Sequence, residues 1–98
     1  MKKYEIHLPL NSSDGEPIDP EAIRRVREEL VAAFGAFAVP DKKTWKYAGA
    51  EYIEIMKIEI ITAGDKATKK RFKELKEQFK ESLRQVDILI TTYGIQEV

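Results

Sequence analysis

The chain has no cysteine, which excludes a disulfide framework, a thiolate zinc site and a cysteine nucleophile. Its 17 basic and 17 acidic side chains give zero formal net charge, so no global field favours nucleic acid, an anionic membrane or an acidic substrate. No apolar run approaches the length of a membrane span, and the first residues alternate instead of forming the apolar core of a signal peptide. We therefore expect a cytoplasmic protein without a membrane partner.

Length and composition indicate one folded domain. A chain of 98 residues is too short to divide into two stable cores, so we predict a single domain over residues 1–98. Hydrophobic residues make up 43% and charged residues 35%, which is typical of globular proteins. The phosphate-cradle, nucleophile-elbow and zincin motifs are all missing. We predict no catalytic residue, no cofactor and no metal site.

Two helices are predicted from their ends and their apolar stripes. Asp19 and Pro20 provide an N-cap acceptor and the residue favoured at the first helical position, and Gly35 stands where a C-terminal cap belongs. Gly64 and Asp65 precede the second helix. Its core-facing residues, spaced three or four apart, are Phe72, Leu75, Phe79 and Leu83.

The strands are predicted from alternation of apolar and polar residues. They cover Tyr4 to Leu10, a short segment 36–39 that resumes at 44–47, residues 51–61, and Val86 onward to Tyr93. The resulting order of elements is strand, helix, strand, strand, helix, strand. This order predicts an α+β, ferredoxin-like βαββαβ fold, in which a four-stranded antiparallel sheet carries two helices on one face.

Several segments are similar to parts of known proteins. Tyr4–Leu10, Asp14–Ile18 and Leu30–Ala36, together with Trp45 and Tyr52, resemble a group of small uncharacterised bacterial α+β proteins. The resemblance spans most of the chain. It implies one compact α+β domain of prokaryotic origin, and it implies no activity and no catalytic residue.

The third long strand carries apolar residues on both faces, which suits a central strand or an outer face covered by a partner. The face turned away from the helices is therefore a candidate association surface. Its predicted interface residues are Glu5, His7, Ile53, Ile55 and Lys57. The leading hypothesis is a non-enzymatic interaction or regulatory module that forms a homo-oligomer, most simply a homodimer, through this face and the outermost strand.

The second helix, over residues 66–84, is the basis of the first alternative. Between residues 66 and 80 it carries seven basic and two acidic side chains, a local excess that would suit an anionic partner. The predicted nucleic-acid-binding residues are Lys66, Lys69, Lys70 and Lys73. The open sheet face lacks the aromatic platform on which RNA-recognition domains stack bases, so such binding would use the helix.

His7 is the basis of the second alternative, a small enzyme. It is the only histidine, and the alternation of the first strand places it beside Glu5, with Glu59 within reach on a neighbouring strand. A histidine near carboxylates can act as a general base.

Three aromatic residues are predicted to gather on the central hairpin. Trp45 and Tyr47 share one face, and Tyr52 can approach them across it. We predict that they complete the core, the alternative being an exposed anchor for a partner.

Overall fold

The computed structural model describes residues 1–12, 14–35, 38–39, 44–48, 51–85, 87–96 and 98, and for residues 44–48 and 51–53 the backbone only. The elements are β1 (Lys2–Pro9), α1 (Pro20–Phe34), β2 (Thr44–Ala48), β3 (Glu51–Thr62), α2 (Lys66–Ser82) and β4 (Leu89–Gly94). Two helices and an antiparallel sheet confirm the predicted α+β class.

The strands lie side by side in the order β2-β3-β1-β4, and every neighbouring pair is antiparallel. Ile6 of β1 lies between Ile58 of β3 and Ile90 of β4, which makes β1 an interior strand. Ala38, which precedes β2 in the chain, exchanges two backbone hydrogen bonds with Glu59 of β3, of 2.8 and 2.9 Å. The strand predicted over 36–39 is represented in the described residues by this bridge.

The core joins one face of the sheet to both helices. Because side chains alternate along a strand, the even-numbered residues of β1 and β3 point the same way. The buried strand residues are Tyr4, Ile6, Leu8, Met56, Ile58 and Ile60. The buried helical residues that meet them are Val26 and Leu30 of α1 and Phe72, Leu75 and Phe79 of α2.

Both ends of α1 lie where the sequence predicts them. Asp19 is the N-cap, and its carboxylate accepts a 2.9 Å hydrogen bond from the Glu21 N–H. Pro20 is the first helical residue, where its missing N–H costs nothing. Gly35 closes the helix with a φ of 84°, and its N–H donates to the Val31 carbonyl at 2.7 Å.

The N-terminus of α2 also follows the prediction. The Asp65 carboxylate accepts a 2.8 Å hydrogen bond from the Thr68 N–H. One turn further along, the Phe72 ring stacks on Tyr4 of β1 at 3.9 Å and on Phe34 of α1 at 4.6 Å, measured between ring centroids. Phe72 therefore connects both helices to the sheet.

The last strand begins later than predicted. The prediction placed its start at Val86, which lies outside the described residues, whereas β4 starts at Leu89. Asp87 and Ile88 precede the strand, so the prediction was wrong for these two positions. Ile88 is buried in the core without pairing in the sheet, which explains its apolar side chain by packing.

Candidate functional site on the outer face of the sheet

The outer face of the sheet carries the odd-numbered side chains of β1, β3 and β4, opposite the core. The strand register sets them in three rows across the face. We call these nine residues the outer-face cluster: Lys57, His7 and Leu89; Glu59, Glu5 and Thr91; Ile61, Lys3 and Tyr93.

Two carboxylates face each other at the centre of the cluster. Glu5 of β1 is directly opposite Glu59 of β3, an arrangement of like charges that destabilises a sheet. The Lys3 ammonium offsets this repulsion, since Nζ lies 3.2 Å from Glu5 Oε1 and 3.8 Å from Glu59 Oε1. The hydrogen bond to Glu5, followed by the charge of Glu59, raises the pKa of Lys3 above its usual range.

Glu5 is only 7% exposed, although the buried residues of both helices pack on the opposite face of the sheet. A buried carboxylate needs a charged or hydrogen-bonding neighbour. Lys3 provides one on one side, and His7 lies on the other, with Nε2 3.7 Å from Glu5 Oε2. The same nitrogen lies 3.4 Å from Thr91 Oγ1. The His7 Nε2 atom therefore faces both Glu5 and Thr91.

The predicted group around His7 is therefore present. Lys57 lies opposite it on β3, and Glu59 is one row away. In the described ranges, no set of three histidine or acidic side chains is placed to hold a metal ion. The arrangement resembles a network of paired charges in a sheet more closely than a reaction centre. An enzymatic role for His7 stays a prediction.

Apolar side chains lie at the ends of the rows. Ile61 is 58% exposed, Leu89 38% and Tyr93 48%. The Lys3 ammonium lies 5.5 Å from the centroid of the Tyr93 ring, within the range of a cation–π contact. The outer face thus offers exposed apolar side chains around a centre that contains positive and negative charges.

The predicted interface residues have different surroundings. Glu5, His7 and Lys57 lie together in the cluster. Ile55 is on the same face but is 2% exposed, so it offers almost no area to a partner. The side chain of Ile53 lies outside the described residues.

Sequence reasoning missed the apolar rim. It assigned no role to Ile61, Leu89 or Tyr93. Only the register shows that Leu89 and Tyr93, and not Ile90 and Thr92, are on the outer face. It sets His7 opposite Leu89 and Lys3 opposite Tyr93.

The basic helix presents its lysines to solvent. The four predicted residues are all exposed, and within the described part of the chain none of them forms an ion pair: Lys66, Lys69, Lys70 and Lys73. Further along α2, Lys76 Nζ lies 3.2 Å from Asp87 Oδ1 and Lys80 Nζ lies 3.4 Å from Glu77 Oε1. The uncompensated charge is concentrated in the first half of the helix.

The register of the central hairpin sets Tyr47 opposite Tyr52 and Trp45 opposite Glu54. The side chains of the three aromatic residues lie outside the described part, and their predicted place in the core stays a prediction.

A comparison with models of protein families finds no matching family, and a comparison with curated proteins finds no match. The resemblance to small bacterial α+β proteins stays a prediction. No helix in the described ranges is long and apolar enough to cross a membrane.

Proposed function

We propose that this chain is a non-enzymatic protein-interaction module that pairs with a second copy of itself through the outer-face cluster. The exposed apolar rim of Ile61, Leu89 and Tyr93 is the observation that supports this proposal. Exposed apolar side chains grouped on one face mark association surfaces.

The proposal includes the ferredoxin-like arrangement of the fold. It is supported by the order of elements along the chain and by the strand order β2-β3-β1-β4. In that arrangement both helices cover one face of the sheet and the opposite face is left for a partner.

A second copy is a suitable partner because the cluster contains charges of both signs. In a two-fold dimer, residue i of one copy contacts residue j of the other, and the reverse contact is then made as well. Lys57 and Glu59 are two residues apart on β3 and both partly exposed, so Lys57 of each copy can face Glu59 of the other. The zero net charge of the chain removes long-range repulsion between copies.

Sedimentation equilibrium tests the proposal. We expect the unmodified protein to form dimers, and Ile61→Lys to raise the dimer dissociation constant about tenfold or more, since it replaces apolar contact by a charge in the interface. Ile61 is well exposed in the single chain, so the change has little effect on folding. Val31→Lys is the matched control, because Val31 is an exposed apolar residue on α1, away from the cluster.

A protein that remains monomeric at several hundred micromolar would contradict the proposal, as would equal effects of Ile61→Lys and Val31→Lys. Ile55→Lys is not a suitable test. Ile55 is buried in the single chain, so the new charge would destabilise the fold whether or not a dimer forms.

A further inference from the structure

A cleft of about 220 Å³ separates the first half of α2 from the edge strand β4. Its apolar floor consists of Tyr4, Phe72 and Ile90. Polar side chains surround it: Lys69, Lys73 and Lys76 from the helix and Thr92 from the strand. It lies on the helical side of the sheet and shares none of its residues with the outer-face cluster.

The backbone of β4 has hydrogen-bonding groups beside this cleft that β1 does not use. The Ile95 N–H donates to the Met1 carbonyl at 3.2 Å, one step beyond the Lys2–Gly94 pair. In an antiparallel ladder, hydrogen-bonded and non-bonded pairs alternate. The odd-numbered residues of β4 therefore bond to β1, and the N–H and C=O groups of Ile90 and Thr92 point away from it.

The other side of β1 supports this assignment. The Leu10 N–H donates to the Glu54 carbonyl at 3.0 Å, which places the even-numbered residues of β1 in bonded pairs with β3. The odd-numbered residues of β1 are then left to bond to β4, in agreement with the Ile95–Met1 hydrogen bond. In the part of the chain that the structure describes, no strand pairs with the outward edge of β4.

The charges around the cleft indicate the chemistry of an occupant. Lys69 and Lys73 form no ion pair with any described residue, whereas Lys76 is paired with Asp87. Pairing of β4 with β4 of a second copy would bring two sets of these lysines together, and lysine beside an edge strand suppresses such self-pairing. A segment with carboxylates would instead neutralise them.

We propose that this cleft binds an extended acidic segment of another protein, which adds to the sheet as a fifth strand beside β4. Its backbone would bond to the outward groups of Ile90 and Thr92. Its alternate side chains would enter the cleft, with an apolar side chain on Phe72 and carboxylates at Lys69 and Lys73. This mode of recognition uses main-chain bonds for affinity and alternate side chains for specificity. The proposal is independent of dimer formation on the opposite face.

The heptapeptide Thr-Glu-Thr-Leu-Thr-Glu-Thr is a suitable probe. Its glutamates are four residues apart, about 13 Å in a strand. Lys69 and Lys73 are about 6 Å apart along the helix, within the span of the two glutamates, so each carboxylate can reach inward to one lysine while Leu sits between them. The analogue with Lys in place of both Glu residues is the charge control. Fluorescence anisotropy of the labelled peptides at 0.15 M salt measures binding.

We expect the acidic peptide to bind and the basic analogue not to bind. Lys69→Gln with Lys73→Gln should raise the dissociation constant about tenfold, as expected for two lost ion pairs. Lys66→Gln with Lys70→Gln is the matched control, since it removes the same charge from the same helix at residues that do not line the cleft. It should change the dissociation constant less than threefold.

Two N-methylated peptides test the strand itself. Alternate residues of an added strand direct their N–H groups to β4. Methylation of the backbone nitrogens that face β4 should therefore abolish binding of the peptide. Methylation of the nitrogens of the other alternate residues should leave binding unchanged. These measurements use the unmodified protein, so they do not depend on a variant that folds.

Three results would overturn the proposal. The first is no binding of the acidic peptide at millimolar concentration. The second is equal tolerance of both methylated sets, which would mean that the lysines attract anions without strand addition. The third is that a thymidine oligonucleotide binds more tightly than the acidic peptide and that both double variants weaken its binding equally. This result would mean that all four lysines bind nucleic acid. Dimer formation can fail while the peptide still binds, so this proposal and the proposed function are tested separately.

Discussion

Phe79 and Phe72 are the aromatic residues through which α2 contacts the core. Phe79 is 1% exposed and belongs to the set of largest fully buried side chains. Phe72 is also buried, and its stacking on Tyr4 and Phe34 places it between sheet and both helices. Truncating either ring would leave a void where it contacts its neighbours, because protein interiors are packed as densely as organic crystals.

We expect Phe79→Ala to lower the free energy of unfolding by about 3 to 5 kcal/mol, from lost transfer energy and the remaining cavity. Urea denaturation followed by circular dichroism measures this loss. Phe72→Ala should cost a similar amount, because its ring is held on two sides and does not lie in a frayed turn. Val31→Ala, a truncation at an exposed site on α1, should stay within about 0.5 kcal/mol of the unmodified protein. A loss below about 1 kcal/mol for Phe79→Ala would be inconsistent with its position in the core.

At the scale of elements, the two helices differ in how they end. Gly35 closes α1 at a positive φ of 84°, a conformation that side chains with a Cβ rarely adopt. A Cβ built on Gly35 meets no atom within 4 Å, so the constraint at this position is backbone conformation and not space. The end of α2 uses Arg84, at a φ of 53°, in place of glycine.

Gly35→Ala should therefore destabilise the protein by about 1 to 2 kcal/mol, through strain alone. Gly35→Asn should cost less, because asparagine tolerates positive φ. Gly94→Ala is the control, since a Cβ there also meets no atom within 4 Å and the residue has no positive φ. Thermal melts should separate Gly35→Ala from Gly94→Ala by several degrees. Equal melting temperatures would mean that Gly35 adopts another conformation in solution.

The sequence predicts elements well where a local rule acts. Asp19, Pro20 and Gly35 mark the ends of α1, and Asp65 the start of α2, because caps depend on the chemistry of single residues. It fails where the outcome depends on distant neighbours. Ile88 reads as strand but is buried ahead of β4.

The candidate site shows the same limit. Alternation places Glu5 and His7 on the outer face, and the structure confirms their proximity. It does not reveal that Glu5 and Ile55 are buried there, because burial depends on which chain segments and side chains lie over them. The cleft beside β4 was also missed, since it requires the register of β4 and the distance from β4 to α2.

On the scale of the whole molecule, three aspartates hold contacts in a loop and at the ends of elements. Asp14 accepts hydrogen bonds from the Ser12 hydroxyl and from the Glu16 N–H, within the loop between β1 and α1. Asp65 caps α2, and Asp87, just before β4, lies beside Lys76 of α2. Each carboxylate is stabilised in its charged form by these partners.

These contacts predict a loss of stability in acid. Hydrogen bonds from Ser12 and the Glu16 N–H lower the pKa of Asp14, the Thr68 N–H lowers that of Asp65, and Lys76 lowers that of Asp87, all from an ordinary value of 3.8. A carboxyl group with a lowered pKa in the folded state binds fewer protons there than in the unfolded chain. Its contribution to stability is therefore complete above the unfolded pKa and is lost as the pH falls through the folded pKa.

We expect the free energy of unfolding, measured in urea, to stay nearly constant from pH 7 to about pH 5 and to fall below about pH 4. The triple variant Asp14→Asn, Asp65→Asn, Asp87→Asn should have a shallower acid limb, because its amides do not titrate, and Asn at position 65 still serves as an N-cap. The control is Glu16→Gln with Glu81→Gln, two exposed carboxyl groups whose side chains hold no hydrogen bond or ion pair among the described residues. It should keep the steeper limb of the unmodified protein. An acid limb unchanged in the triple variant would show that these three contacts do not persist in solution, and that the loss of stability in acid comes from other carboxyl groups.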